Sequence, residues 1–345
     1  MQPTTVLNTD TTNQPKPLLD VRDLSVTFQT KEGTLKAVDR VSFNLARGDI
    51  LGIVGESGCG KSLTLLSILR LIQNGAQVSG SVTYYRPDKE GNSTSVKLDE
   101  LNESQLTKIR GTEIAMIFQD PLSSLNPVYR VGDQIIEAIR LHNRISKREA
   151  SKIAVDLMKR VGIQSAEERA RSFPHQLSGG MRQRIMIAMA LSCNAKLLLA
   201  DEPTTMIDEI SQMQIIQLLK ELRHSFGSII YVTHDLGVVA ELCTRVAVMY
   251  AGRLVELADV QSIFKRPMHP YTKLLLESVP RVDRERQKLT SIPGAVKPPV
   301  NPKNECRFVD RCPYVIEQCR KELPKLVQTD TQGTHQSACI RWKEI

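Results

Sequence analysis

Aromatic residues are scarce in this chain. Phenylalanine, tyrosine and tryptophan together make 4% of its 345 residues, and there is a single tryptophan. Basic stretches do not interleave with them, which argues against a nucleic-acid surface built on base stacking. Long apolar runs are also missing. Stretches such as "IMIAMAL" (185–191) fall well short of the roughly 20 residues that a bilayer-spanning helix needs. The opening "MQPTTVLNTDTTNQPKP" has no apolar signal-peptide region. It predicts a disordered leader over residues 1–17 and a protein that stays in the cytosol. No self-similarity at solenoid or propeller periods is visible, so one copy of each motif is expected. Cysteine is rare until the end: only Cys59, Cys193 and Cys243 precede residue 306, whereas Cys306, Cys312, Cys319 and Cys339 crowd the tail.

What is present is an ordinary soluble composition, 41% apolar and 24% charged. The length suits one large domain and something smaller. The formal net charge of +8 is unevenly spread. Residues 265–345 hold 16 Lys/Arg against 9 Asp/Glu (net +7), leaving 30 against 29 (net +1) for residues 1–264. Such a tail reads as a solvated basic surface, or as one drawn to anionic lipid headgroups or nucleic acid.

The chain is organised by its periodicity. "LLDVRDLSVTF" and "KAVDRVSFNL" alternate like strands of an antiparallel sheet, and "ILGIVG" is apolar throughout, as in a buried parallel strand. "YYRPDKEGNSTS" (84–95) is rich in turn formers and predicts a surface loop. "LNESQLTKIR" opens with a capping pattern and predicts a helix. "EIAMIFQD", "AKLLLADEP" and "GSIIYVTHD" predict further buried strands, residues 131–172 a helical insert, and "RVAVMYAGRLVE" a closing hairpin. Pro and Lys/Arg become dense from "KRPMHP", and "IPGAVKPPVNPKN" (292–304) is linker-like, so a boundary is expected near residue 265.

"GESGCGKS" (55–62) fits G-x-x-x-x-G-K-S between an apolar strand and a helical stretch. Glycines let backbone N–H groups close on phosphate oxygens at a helix N-terminus. Gly55, Ser57, Gly58, Cys59, Gly60, Lys61, Ser62 and Leu63 are therefore the nucleotide-site candidates, with Lys61 between the β- and γ-phosphates and Ser62 on Mg²⁺. Cys59 reads as a small filler of the loop. "LLLADEP" sets Asp201 and Glu202 at a strand end. Alone such a pair is more often a cap or surface charge; beside a phosphate loop it suits a metal ligand and a water-orienting base. In "LSGGMRQR", Ser178, Gly179 and Gly180 open a second anion-ready helix N-terminus. His234 in "YVTHD" is either structural or a sensor of the terminal phosphate.

With these motifs in this order, and with Gln119 in "IFQD", the sequence resembles an ATP-binding cassette (ABC) ATPase over roughly residues 18–264. The resemblance implies an α/β P-loop NTPase core with an antiparallel β-subdomain and a helical subdomain. It also implies ATP sandwiched between one subunit's phosphate loop and another subunit's LSGG. Gln119 would contact Mg²⁺ and couple the site to membrane subunits, and Asp208 in "TTMID" would communicate across the dimer. Phe28 would stack on adenine, or else be a core phenylalanine on its strand. "HPYTKLLLESVP", "SIPG" and "CRFVDRCP" resemble ATPases of bacterial oligopeptide and dipeptide importers. That branch implies a second, different ATPase (a heterodimer), two transmembrane permeases and an extracytoplasmic peptide-binding protein, with this chain peripheral on the cytoplasmic face of the membrane and no nucleic-acid partner. Glutathione, nickel complexes or antimicrobial peptides are alternative cargoes. A soluble non-transport ABC ATPase is the other alternative, although such proteins usually carry two cassettes or a long coiled-coil insert. The chain departs from the family pattern at Met206, Ile207 and Glu209, where Thr-Thr-Ala-Leu-Asp and an apolar residue are usual.

The tail cysteines follow C-x5-C-x6-C-x19-C. Disulfides are disfavoured in a reducing compartment. Zinc sites usually show tighter pairs. The gaps suit a [4Fe–4S] cluster held from loops, which the resemblance also implies for some peptide-importer ATPases. Reduced thiols packed in a small C-terminal domain (265–345), and zinc, are the second and third readings. Cys193 and Cys243 read as core fillers in helical text.

Overall fold

The computed structural model describes residues 17–72, 75–87, 93–205, 207–278 and 292–345. The expected leader lies outside these residues except for Pro17, which opens the first strand.

Two sheets organise the chain. In the smaller, β1 (Pro17–Thr30) is flanked by β2 (Gly33–Ala46) and β4 (Ala76–Pro87), and β5 (Ser93–Lys97) pairs with β4, all antiparallel. The turn-rich stretch 84–95 is thus not a loop throughout. Tyr84, Tyr85 and Arg86 pair with Val96, Ser95 and Thr94. The β-branched and aromatic flanks prevail over the turn formers between them.

The larger sheet runs β11-β12-β10-β9-β3-β8-β7-β6. Its parallel centre comprises β3 (Ile50–Val54), β6 (Ile114–Ile117), β7 (Leu197–Asp201), β8 (Ser228–Thr233) and β9 (Arg245–Tyr250). β3, β7 and β8 are buried at every position, as continuous apolar strands covered on both faces must be. β10 (Arg253–Asp259) closes the expected hairpin with β9. The two-residue strands β11 (Val327–Gln328) and β12 (Gln336–Ser337) then extend the sheet, β12 against β10.

Helices cover both faces. α1 (Lys61–Ile68) follows β3, and α2 (Glu103–Thr107) starts at a capping box between Asn102 and Gln105. α3 (Pro121–Ser124), α4 (Val131–His142), α5 (Lys147–Arg160) and α6 (Ala166–Arg169) build the helical insert. α4 buries Val131, Ile135 and Ile139, a stripe at four-residue spacing. α7 (Gly179–Leu191), α8 (Glu209–Phe226) and α9 (Leu236–Leu242) return the chain to the parallel strands. α10 (Val260–Lys265) and α11 (Pro270–Glu277) begin the C-terminal segment. Cys193 and Cys243, expected within helices, instead follow the last residues of α7 and α9.

The C-terminal segment packs on the sheet through a buried polar pin. Glu256 on β10 is fully buried, and its carboxylate accepts from the amides of Met268 (2.6 Å) and His269 (3.0 Å). His335 Nε2 lies 2.7 Å from the same carboxylate. Every oxygen is thus partnered, the condition on which a buried carboxylate is tolerated. Aromatic rings of Tyr250, Tyr271 and Phe308 meet beside it at centroid distances of 4.7–5.4 Å.

Candidate nucleotide site

The site forms where β3 ends and α1 begins. Gly60 caps α1 with φ of 105°, and a Cβ there would stand 2.4 Å from the Ala37 carbonyl. Only glycine meets both conditions. The turn aims the first amides of α1 into an open pocket of about 490 Å³. Ser57, Gly58, Gly60, Lys61, Ser62 and Leu63 line it from the loop side, and Gln119, Glu202 and His234 from the strand ends opposite.

Lys61 is 4% exposed, and its ammonium donates to the carbonyls of Gly55 (2.8 Å) and Glu56 (3.1 Å). It also lies 3.7 Å from Glu202 Oε1. The loop's own carbonyls thus solvate the charge. Ser62 Oγ donates to Asp201 Oδ1 at 2.9 Å. Burial pushes the Asp201 carboxyl above its ordinary range and the Glu202 charge adds to this, while Ser62 and Lys61 oppose it. An anionic oxygen and a hydroxyl oxygen side by side at the pocket margin are a donor set that suits Mg²⁺.

Glu202 sits in the left-handed region (φ 43°), which is rare for a residue with a Cβ. That turn brings its carboxylate back over the pocket. Oε2 accepts from Thr205 Oγ1 at 3.0 Å, stands 3.3 Å from His234 Nδ1, and is 3.5 Å from Gln119 Nε2, the outer limit of a hydrogen bond. Loop cation, strand-end carboxylate, glutamine and histidine therefore converge although 173 positions separate Lys61 from His234.

Other candidates lie elsewhere. The Cys59 side chain is fully buried, and burial pushes its thiol up, as expected of a filler. Phe28 packs partly buried against the core of the antiparallel sheet and does not line the pocket. Ser178 caps α7 by accepting from Met181 N, and Asp208 caps α8 by accepting from Ser211 N at 2.9 Å and Ser211 Oγ at 2.7 Å. The two caps are neighbours: a Cβ on Gly180 would meet Ser211 Oγ at 2.9 Å. Neither reaches the pocket of its own chain. Ile207 packs against the core below them, and Met206 lies outside the described residues.

Two residues that motif reading did not single out also hold the site. Thr205 orients Glu202, and Tyr271 accepts the Glu56 amide at 2.9 Å. Thr205 adjoins "DEP"; Tyr271 stands in "HPYTKLLLESVP", a stretch used only as a family mark.

The four tail cysteines line one pocket together with His269, Phe308 and Tyr314. Cys306 N donates to Cys319 O at 2.8 Å, joining the first and third of them through the backbone. All are free thiols. Burial pushes Cys306 up to about 12 and Cys339 to about 11, and raises Cys312; the neighbouring thiols add to these shifts. Among the described residues, no three His, Cys, Asp or Glu side chains close to a metal-holding geometry.

The family model described as ABC transporter matches residues 38–205, and that described as oligopeptide/dipeptide transporter, C-terminal region, matches residues 255–319. The probable peptide ABC transporter ATP-binding protein y4tR of Sinorhizobium fredii is 48% identical over 95% of this chain and 96% of its own length. The chain belongs to the ABC transporter ATPases. Oligopeptide transport ATP-binding protein AppD of Bacillus subtilis is 46% identical over 95% of this ABC ATPase and 97% of its own length. The ATP-binding cassette MJ0796, solved as a dimer in a post-hydrolysis state bound to ADP and Pi, superposes with a TM-score of 0.61 at 28% identity, covering 70% of this ABC ATPase and 98% of MJ0796.

Proposed function

We propose that this ABC ATPase is the ATP-hydrolysing subunit of a membrane importer for oligo- or dipeptides. The observation that carries the reading is the convergence of Lys61, Ser62, Gln119, Glu202 and His234 on one pocket. The relatives' names and the matched C-terminal region support a peptide cargo.

The α1 N-terminus and Lys61 bind the phosphates. Mg²⁺, held at Ser62, Asp201 and Gln119, supplies charge neutralisation to them when bound. Glu202 orients the attacking water, with Thr205 and His234 fixing its carboxylate. Ser178, Gly179 and Gly180 serve the pocket of a facing cassette, because they lie away from their own; Asp208 beside them carries the signal across. The facing cassette is a second, different ATPase. Two permeases receive the motion, a peptide-binding protein delivers cargo, and the chain sits on the cytoplasmic face of the membrane. No described helix is long and apolar enough to cross it. The cassette spans residues 18–264, and residues 265–345 form the cysteine-bearing segment. Cys306, Cys312, Cys319 and Cys339 suit a [4Fe–4S] cluster, which would cross-link a segment with little core of its own.

Co-purification of the chain with its permeases, followed by peptide uptake into vesicles loaded with ATP, tests this reading. Uptake of labelled tri- to pentapeptides that stops with a non-hydrolysable analogue is expected. ATP-driven uptake of a nickel complex or glutathione, with peptides ignored, would overturn the cargo.

A further inference from the structure

Arg311 directly precedes Cys312 and leaves the cysteine segment for the nucleotide site. Its guanidinium grips the Glu56 carboxylate with both forks, Nη1 to Oε1 at 2.9 Å and Nη2 to Oε2 at 3.1 Å. The side chain is only 7% exposed. Nε donates to Pro293 O at 2.7 Å, and Nη1 reaches Tyr250 Oη at 3.3 Å. The rings of Tyr250 and Phe308 flank it at 5.7 and 5.9 Å. An arginine so enclosed has one conformation to offer.

Glu56 is the second residue of the phosphate loop. Its amide is held by Tyr271 Oη and its carbonyl accepts from Lys61 Nζ at 3.1 Å, so all three of its polar groups are spoken for. Two of those partners, Arg311 and Tyr271, come from the C-terminal segment. A third contact lies beside them: Arg307, four residues before Arg311, bonds Asp39 at 2.9 Å. The segment that follows the cassette therefore holds the outer side of the loop whose inner side lines the pocket.

We infer that Arg311 is a positioning residue for the phosphate loop, acting through Glu56, so that the segment carrying the four cysteines sets the nucleotide affinity of the cassette. The inference rests on the loop binding MgATP. A bidentate, enclosed ion pair fixes direction as well as distance. Loss of it frees the Glu56 peptide, and with it the carbonyl that steers Lys61.

The test titrates the full-length chain with a fluorescent ATP analogue and Mg²⁺, well below its unfolding temperature, with circular dichroism as the fold control. Arg311→Gln and Glu56→Gln are each expected to weaken binding about tenfold, the loss of one charge-assisted hydrogen-bond pair. The double variant is expected to be no weaker than the weaker single variant, and Arg311→Lys to recover part of the loss. A role confined to stability would lower the unfolding temperature and leave affinity alone. Folded variants that bind within about twofold of wild type, or two losses that simply add, would overturn the inference. If Arg311→Gln does not fold, Glu56→Gln and Arg311→Lys decide alone. A wild-type chain that binds no MgATP would instead overturn the proposed function.

Discussion

The Lys61 ammonium stands 3.7 Å from the Glu202 carboxylate, a cation from the start of α1 facing an anion from the end of β7. Both side chains line the pocket. Phosphate charge entering it would take Lys61 from the loop carbonyls and leave Glu202 aimed at water.

The loop itself depends on glycine. Gly60→Ala forces a Cβ into left-handed backbone and against the Ala37 carbonyl. A destabilisation of about 1–3 kcal/mol is expected, together with loss of MgATP affinity. Thermal unfolding and nucleotide titration on the same sample check both.

Asp39 is buried between Arg253 and Arg307, each at 2.9 Å. Burial alone would raise its carboxyl, but the two guanidiniums outweigh this and hold it below the ordinary carboxylate range. Asp39→Asn leaves two cations without their anion and should cost about 3–5 kcal/mol. Denaturant unfolding measures the loss, and faster proteolysis after residue 292 would report that the C-terminal segment has loosened.

Much of this was legible in the sequence, and the exceptions share a cause. The phosphate loop, the Asp201–Glu202 pair and the buried strands are local patterns, each carried by a few adjacent residues. Arg311 to Glu56 spans 255 positions and His335 to Glu256 spans 79, so no window could pair them. The pairing of Tyr84–Arg86 with Thr94–Val96 was hidden by Pro87, Gly91 and Asn92, whose turn signal in the sequence outweighed Tyr84, Thr94 and Val96. Phe28 is a different case: whether it meets adenine or the core is decided by tertiary packing, which no local pattern on β1 carries.

His269 is buried and neutral. Burial pushes it from 6.5 down to about 3, and its Nδ1 accepts the Tyr271 amide at 3.1 Å. The folded state thus refuses a proton that the unfolded chain accepts. Its stabilising effect is complete above pH 6.5 and is lost progressively as pH falls from there toward 3, by up to several kcal/mol. His269→Gln keeps an acceptor without titrating. Chemical denaturation at pH 7, 5.5 and 4.5 should show a shallower fall for the variant; equal slopes would remove His269 as a cause.

The cysteine pocket makes a compositional prediction. Anaerobic purification should yield a brown protein with iron and sulfide near four of each per chain. Cys306→Ser should lose both and unfold at lower temperature. Stoichiometric zinc, or metal-free thiols with unchanged stability, would replace the cluster by the other readings.

The central claim is that Glu202 orients water for hydrolysis in a pocket that Lys61 and Ser62 equip for MgATP. Glu202→Gln keeps the shape and removes the charge. Phosphate release and nucleotide binding, measured side by side on the co-purified complex, test this most directly. The account predicts MgATP binding at least as tight as wild type and phosphate release lowered by about 10²–10⁴-fold. Turnover within about threefold of wild type would contradict it, because a positioned base contributes far more than that.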